Sequence, residues 1–301
     1  MKKHKYIIIL ILILVLLQGF MPIKPSVVIL YTTNTNGVIN PCNCPDSKGG
    51  IFRRMTKIKY YKKAYPDAIL LDTGDFLLPT HDDKINSFLL QVMKKMKYDC
   101  IGLGDQELDG GIEFFVNEVK KYDVPILATN IIWCDKDKSC NFFSNSYVIK
   151  NVGRYKVGII ALLTEDDFKY YPEELREKLI IFDPIDETKK WMEFFRKKAK
   201  TDITIVLSHG GHEFDKELAS KVKNIDIIIG GHNQVLLAKG LKANNTLILQ
   251  MGRNGEYLGK LSLYLDENKK IVKYENRAYP LDKTVKDDEE IRKLFLIYSK
   301  R

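Results

Sequence analysis

Polar and ionisable side chains follow five apolar segments of this 301-residue sequence, at the point where each apolar run ends. The five clusters are Asn34-Thr35-Asn36-Gly37, Asp72-Thr73-Gly74-Asp75, Gly104-Asp105-Gln106-Glu107, Ser208-His209-Gly210 and Gly230-Gly231-His232. Ligands of open α/β sheets gather outside the carboxyl ends of the strands. Carboxylates and imidazoles are also suitable ligands for a divalent metal ion. The clusters therefore predict one binding or reaction centre at a sheet edge.

The segments between the clusters alternate between apolar strands and helices, which predicts an α/β fold. Strands are predicted over 27–31, 68–71, 100–103, 126–129, 203–207 and 225–229, and helices over 50–61, 84–96, 112–121 and 188–198. Residues 147–152 and 155–162 are predicted to pair as a hairpin around Gly153-Arg154. Three strands between 246 and 277 and a charged helix over 288–298 complete the predicted elements.

The first 23 residues differ in character from the rest of the chain. Lys2, Lys3 and Lys5 precede an apolar run over 6–17, a pattern typical of a secretory signal. No small-x-small cleavage site follows the run, so a cleaved signal and an uncleaved membrane anchor are both open. Either predicts an exported, periplasmic or extracytoplasmic protein that contacts the membrane only through this segment. We divide the chain into 1–23, one globular domain over 24–282 and a helical tail over 283–301.

The charge of the chain does not predict a nucleic-acid partner. The formal net charge of +9 falls to +6 without Lys2, Lys3 and Lys5, and the other lysines are scattered among acidic residues. No basic stripe interleaved with aromatic residues is present, whereas nucleic-acid surfaces usually concentrate such residues. The charge indicates a solvated basic surface.

Five cysteines lie in the part predicted to be exported, where disulfides form readily. Cys134 and Cys140 flank a short loop and are predicted to form a structural disulfide. Cys100 lies beside apolar residues and is predicted to pack in the core. Cys42 and Cys44 are too close in sequence for an unstrained disulfide with each other.

The order of the polar clusters resembles that of the calcineurin-like metallophosphoesterases, in particular the catalytic domain of periplasmic 5'-nucleotidases and UDP-sugar hydrolases. Their motifs Asp-x-His, Gly-Asp, Gly-Asn-His-Glu, His-Gly and Gly-His-x-His align in order with the clusters. A Gly-Gly-x-x-Arg block aligns with residues 49–53. The resemblance implies a single-domain, four-layer α/β/β/α sandwich that holds two divalent metal ions and hydrolyses phosphate esters.

Transfer of the family's ligands onto this sequence implies that one metal site is degenerate. The first site corresponds to Asp75 and to three neutral amides, Asn34, Asn36 and Gln234, which are poor ligands for zinc, iron or manganese. The second site corresponds to Asp75, Asp105, His209 and His232. The resemblance therefore implies one divalent ion, either zinc, manganese or iron.

Two further catalytic positions follow from the resemblance. Gln106 occupies the position of the general acid, and an amide does not donate a proton usefully near neutral pH. Arg53, with Arg54 and Glu107, is a candidate contact for a substrate anion, and a surface ion pair is the alternative for each.

Cys42 and Cys44 follow the first strand within the segment that reaches the pocket of the related enzymes, and the Cys-x-Cys block resembles a divergent branch of exported nucleotidase-like proteins. Three interpretations are open: thiolate ligands that replace the lost first-site residues, a redox-active pair, and separate longer-range disulfides. We therefore carry two hypotheses. One is a one-metal hydrolase of small phosphorylated substrates; the other is a degenerate scaffold with a metal-binding or thiol-redox role and a redox partner.

Overall fold

The computed structural model describes residues 24–43, 45–80 and 82–300. The strands are β1 Val27–Thr32, β2 Ile69–Asp72, β3 Cys100–Gly102, β4 Ile126–Leu127, β5 Ile131–Cys134, β6 Cys140–Phe142, β7 Val148–Val152, β8 Tyr155–Leu162, β9 Leu179–Ile181, β10 Ile203–Ser208, β11 Ile227–Gly230, β12 Leu241–Ala243, β13 Thr246–Leu249, β14 Tyr257–Leu265 and β15 Ile271–Pro280. The helices are α1 Ile51–Ala64, α2 Asp83–Met96, α3 Ile112–Tyr122, α4 Glu173–Arg176, α5 Pro184–Phe194, α6 Gly211–Lys221 and α7 Glu289–Ser299.

Two six-stranded sheets form the centre of the molecule. The first has the order β15-β14-β1-β2-β3-β4, and β1 to β4 run parallel within it. The second has the order β12-β13-β11-β10-β8-β7, and β8, β10, β11 and β13 run parallel. The carboxyl ends of the parallel strands of each sheet therefore lie at one edge, as the polar clusters require.

The sheets pack against each other and each is covered by helices. Alternate residues of β1 show this arrangement, because successive side chains of a strand point to opposite faces. Ile29 and Tyr31 pack with Ile205 and Ile229 of the second sheet, whereas Leu30 packs with the helices on the other face. Helices α5 and α6 cover the outer face of the second sheet. The predicted four-layer α/β/β/α sandwich is confirmed.

The helix predicted in the C-terminal tail is present as α7. It packs in the layer of helices that covers the outer face of the first sheet. Asp288 caps its first turn by accepting a hydrogen bond from the backbone N–H of Ile291. Phe295 packs its ring 5.3 Å from that of Phe88 and 5.9 Å from that of Phe52, measured between centroids. The tail therefore contributes directly to the core of the sandwich.

The structure also contains elements that the sequence patterns missed. Helix α6 directly follows β10, and β5, β6 and β9 form a small antiparallel sheet. The disulfide between Cys134 and Cys140 joins β5 to β6, as predicted, and Cys100 is a buried free thiol.

Within the part of the chain that the structure describes, every helix is too short or too polar to cross a bilayer. Residues 1–23 lie outside that part, so their targeting role stays a prediction.

Candidate metal centre

The loops after the parallel strands bring the polar clusters together, and several of their non-glycine residues have positive φ angles. Asp75 has φ 56° and His232 has φ 66°, a left-handed conformation that is uncommon outside glycine. The loop after β2 also approaches the loop after β3 very closely, since a Cβ atom on Gly74 would lie 2.3 Å from the backbone N of Gly104. Glycine is therefore required there, and the approach places Asp75 beside Asp105.

The four residues predicted for the second metal site lie within contact distance. His209 Nε2 is 3.1 Å from Asp75 Oδ1 and 3.3 Å from Asp105 Oδ1. His232 Nδ1 is also 3.3 Å from Asp105 Oδ1. Asp75 and His209 are buried, Asp105 is largely buried and His232 is half-buried. Asp105, His209 and His232 offer ligand atoms that all lie within 4.8 Å of one another, and Asp75 adjoins this group through its contact with His209.

The orientation of His209 fits a metal ligand. Its Nδ1 lies 2.8 Å from the carbonyl oxygen of Thr73, and an N–H donated to that oxygen leaves the lone pair on Nε2. That lone pair then faces the carboxylates of Asp75 and Asp105, an unfavourable contact unless a cation or a proton lies between them. A backbone carbonyl that orients the second ring nitrogen is typical of metal-binding histidines. The donor set is therefore suited to one divalent ion.

The electrostatics of the centre indicate the same demand for positive charge. Burial opposes protonation of His209, yet Asp75 and Asp105 raise its pKa well above the usual value. Burial also works against ionisation of Asp105, but hydrogen bonds with His209 and His232 hold the pKa of Asp105 below its usual value. The Asp105 carboxylate thus favours its ionised form and attracts a cation, a proton or a metal ion, to the position beside His209 and His232.

Two residues at this centre were missed by the sequence interpretation. The Tyr171 hydroxyl donates to Asp105 Oδ2 over 3.3 Å. Asp167 is buried, its Oδ1 lies 3.6 Å from His232 Nδ1, and burial raises its pKa to about 6. Asp167 lies in a polar cluster that follows the apolar run over 155–162. The rule that polar residues at strand ends mark the centre, which selected the other clusters, could therefore have found it.

Glu107 has a different role from either one expected. Its side chain is buried and accepts hydrogen bonds from four backbone N–H groups, those of Asp75, Phe76, Leu77 and Gly104, at 2.8–3.1 Å. The prediction of a substrate contact or a surface ion pair is wrong for this residue, because both oxygens bind backbone inside the protein. Glu107 ties the loop of Asp75 to the loop of Asp105.

The two arginines lie away from the acids of the centre. Arg53 donates to the carbonyl oxygens of Ser47 and Leu281 and lies 3.8 Å from Asp287. Arg54 is buried beside Asp72 and Tyr98, so a surface ion pair is wrong for it. These contacts suit a structural role for Arg54. Among the described residues, Arg53 makes no contact with Asp75. A catalytic role for Arg53 stays a prediction.

Two of the amides at the predicted first metal site, those of Asn34 and Asn36, have hydrogen-bond partners within the protein. Asn34 Nδ2 donates to the carbonyl oxygen of Gly252 over 3.0 Å, and its Oδ1 accepts from the backbone N–H of His232 over 2.7 Å. Asn36 Nδ2 donates to Asn254 Oδ1 over 2.9 Å. Gln234 is half-buried at the rim of a cleft of about 580 Å³ beside His232. The degeneracy of the first site stays a prediction.

Cys42 is disulfide-bonded, and its backbone N–H donates to the carbonyl oxygen of Lys48 over 3.0 Å. In this state its sulfur is not a thiolate ligand. Cys44 lies outside the described residues, so the three interpretations of the Cys-x-Cys block stay predictions.

The four-layer sandwich, with an acid and histidine centre at the carboxyl ends of its strands, defines a protein with the calcineurin-like phosphoesterase fold. Solved structures of that kind superpose on it. Sulfate thiohydrolase SoxB of Thermus thermophilus matches with a TM-score of 0.81 at 16% identity, over 93% of this chain and 61% of that one. Calcineurin-like phosphoesterase YfkN of Bacillus subtilis matches with a TM-score of 0.77 at 20% identity, over 92% and 98%.

By sequence, the chain is similar to 5'-nucleotidases. It is 28% identical to the snake venom 5'-nucleotidase of Naja atra over 276 residues, which cover 83% of this chain and 51% of the relative. No protein-family model matches the chain. The chain spans about half the length of the curated relatives it matches. The resemblance inferred from motif order is confirmed, whereas the Cys-x-Cys branch stays a prediction.

Proposed function

We propose that this protein is a metal-dependent phosphoester hydrolase that holds one divalent ion between Asp75, Asp105, His209 and His232. The observation that carries the proposal is the placement of His209 Nε2 within 3.3 Å of both carboxylates, while its Nδ1 lies 2.8 Å from the carbonyl oxygen of Thr73. The nucleotidase homologues support small phosphorylated substrates of the nucleotide type. Zinc, manganese and iron all suit this mixed oxygen and nitrogen donor set.

The protein groups around the ion have separable tasks. A divalent ion bound there would polarise a phosphoryl oxygen and offset its charge. Tyr171 and the backbone carbonyl of Thr73 orient Asp105 and His209, respectively. Gln106, at the position of the general acid, cannot protonate a leaving group. We therefore propose a preference for esters with acidic leaving groups, such as p-nitrophenyl phosphate, over alkyl phosphates.

Hydrolysis by the purified full chain tests this function. The protein is stripped with a chelator, reloaded with manganese, zinc or cobalt, and assayed with p-nitrophenyl phosphate and a nucleoside monophosphate. Asp75→Asn removes one ligand charge, and asparagine tolerates the left-handed backbone at this position. Asp123→Asn is the matched control, because Asp123 is exposed and also left-handed, with φ 52°.

We expect metal-dependent hydrolysis by the wild type and by Asp123→Asn, and about 100-fold less by Asp75→Asn, the upper range for loss of a residue that supports a metal site. Equal activity of Asp75→Asn and the wild type would show that the hydrolysis is background and would sink the proposal. Export directed by residues 1–23, either as a cleaved signal or as an uncleaved anchor, is part of the same proposal. Fractionation of cells that produce the full chain tests it, and retention in the cytoplasm would contradict it.

A further inference from the structure

The amides beside Asp75 form a continuous hydrogen-bonded chain. Asn36 Nδ2 donates to Asn254 Oδ1 over 2.9 Å, and Gln106 Nε2 lies 3.3 Å from Asn36 Oδ1. The same Gln106 Nε2 donates to Asp75 Oδ2 over 3.0 Å. Each donor in this chain thus has an acceptor, and the chain ends on a carboxylate.

The two oxygens of Asp75 contact different side chains. Oδ1 faces His209 Nε2 at 3.1 Å and accepts the backbone N–H of Gln106 over 3.4 Å, while Oδ2 accepts the side-chain amide of Gln106. Asp75 is only 2% exposed, so an oxygen without a donor or a cation there would carry an uncompensated desolvation cost. The amide hydrogens of Gln106 supply a partial positive charge at the position where a second ion would meet this carboxylate.

We propose that Gln106 takes the place of a second cation at Asp75 and is a positioning residue that fixes this carboxylate as a ligand for a single ion. The inference rests on metal binding at Asp75 as proposed above and does not require hydrolysis. It assigns Gln106 a positive task in the one-ion centre, beyond the absence of a general acid.

Metal binding to the purified, chelator-stripped full chain tests the inference. Manganese affinity and stoichiometry are measured by calorimetry, with the bound metal checked by elemental analysis. Gln106→Leu keeps the approximate size of the side chain but removes the donor to Asp75. Gln106→His keeps an N–H donor. Gln91→Leu is the matched control for the exchange, because Gln91 lies in α2, away from the centre.

We expect one ion per chain in the wild type and about tenfold weaker binding in Gln106→Leu, since one hydrogen bond to a charged group contributes on the order of a factor of ten. Gln106→His and Gln91→Leu should bind within about threefold of the wild type. Two ions per wild-type chain, no bound ion, or an unchanged affinity in Gln106→Leu would each overturn the inference. A chain that binds one ion in this pattern without hydrolysing esters would refute the proposed function alone.

Discussion

Replacement of Glu107 by glutamine is expected to destabilise the protein far more than its small change in shape suggests. Each carboxylate oxygen accepts two backbone N–H groups: Oε2 those of Asp75 and Gly104, Oε1 those of Phe76 and Leu77. Glutamine keeps one such oxygen and turns an NH₂ group toward the other two donors. Because an unsatisfied buried donor costs roughly 1–3 kcal/mol, two of them should lower the free energy of unfolding by about 2–6 kcal/mol.

Burial and the charge of Asp75 raise the pKa of Glu107 to about 8, so urea denaturation followed by circular dichroism measures this loss at a constant pH above that value. Asp82→Asn is the matched control, because Asp82 is the N-cap of α2 and accepts one backbone N–H, that of Ile85. Asparagine caps helices as well as aspartate does, so this variant should unfold like the wild type. An ordinary surface substitution changes the free energy of unfolding by about 0.5 kcal/mol. If the values for Glu107→Gln and the Asp82→Asn control differ by no more than this, the proposed role of Glu107 in joining the two loops is refuted.

Two further predictions concern stability. Asp215 is fully buried, and burial raises its pKa from 3.8 to about 7, so the folded state binds more protons than the unfolded state between these values. Stability should therefore fall by up to about 4 kcal/mol as the pH rises from 4 to 7. Urea midpoints at pH 5 and pH 8 should show a smaller fall in Asp215→Asn, and parallel profiles would contradict this assignment. The disulfide between Cys134 and Cys140 closes a short loop of sequence separation 6. The double serine variant should lose about 2 kcal/mol of unfolding free energy without reductant, and an unchanged urea midpoint would argue against this contribution.

The main strands and helices could be predicted because their signals are local. The strands of the two central sheets read as short apolar runs in the sequence, and α2 and α3 carry apolar residues at helical spacing. The paired strands β7 and β8 lie where the turn at Gly153-Arg154 predicted them. Helix α6 was missed because it begins directly after the cluster of His209 and starts with polar residues.

The residues of the candidate metal centre could be predicted from the sequence, but several of their contacts could not. The order of the clusters and the strand-end rule selected Asp75, Asp105, His209 and His232, which the structure brings together. Nothing local distinguishes the contact of Asp105 with Tyr171, which is 66 residues away. The burial of Arg54 was also beyond the reach of the sequence, because a charged residue on a helix is usually exposed.

The sequence by itself determined the chemical types available at the centre: two acids and two histidines in one set, and amides where a second set of ligands is expected. It also determined the alternation of strands and helices that places those types at strand ends. Only the tertiary structure showed that Thr73 orients His209 across 136 residues, that Glu107 binds the backbone of two loops, and that Gln106 donates to Asp75. The physical reason is that residue type and periodicity are local properties, whereas the direction of a hydrogen bond depends on how distant loops meet.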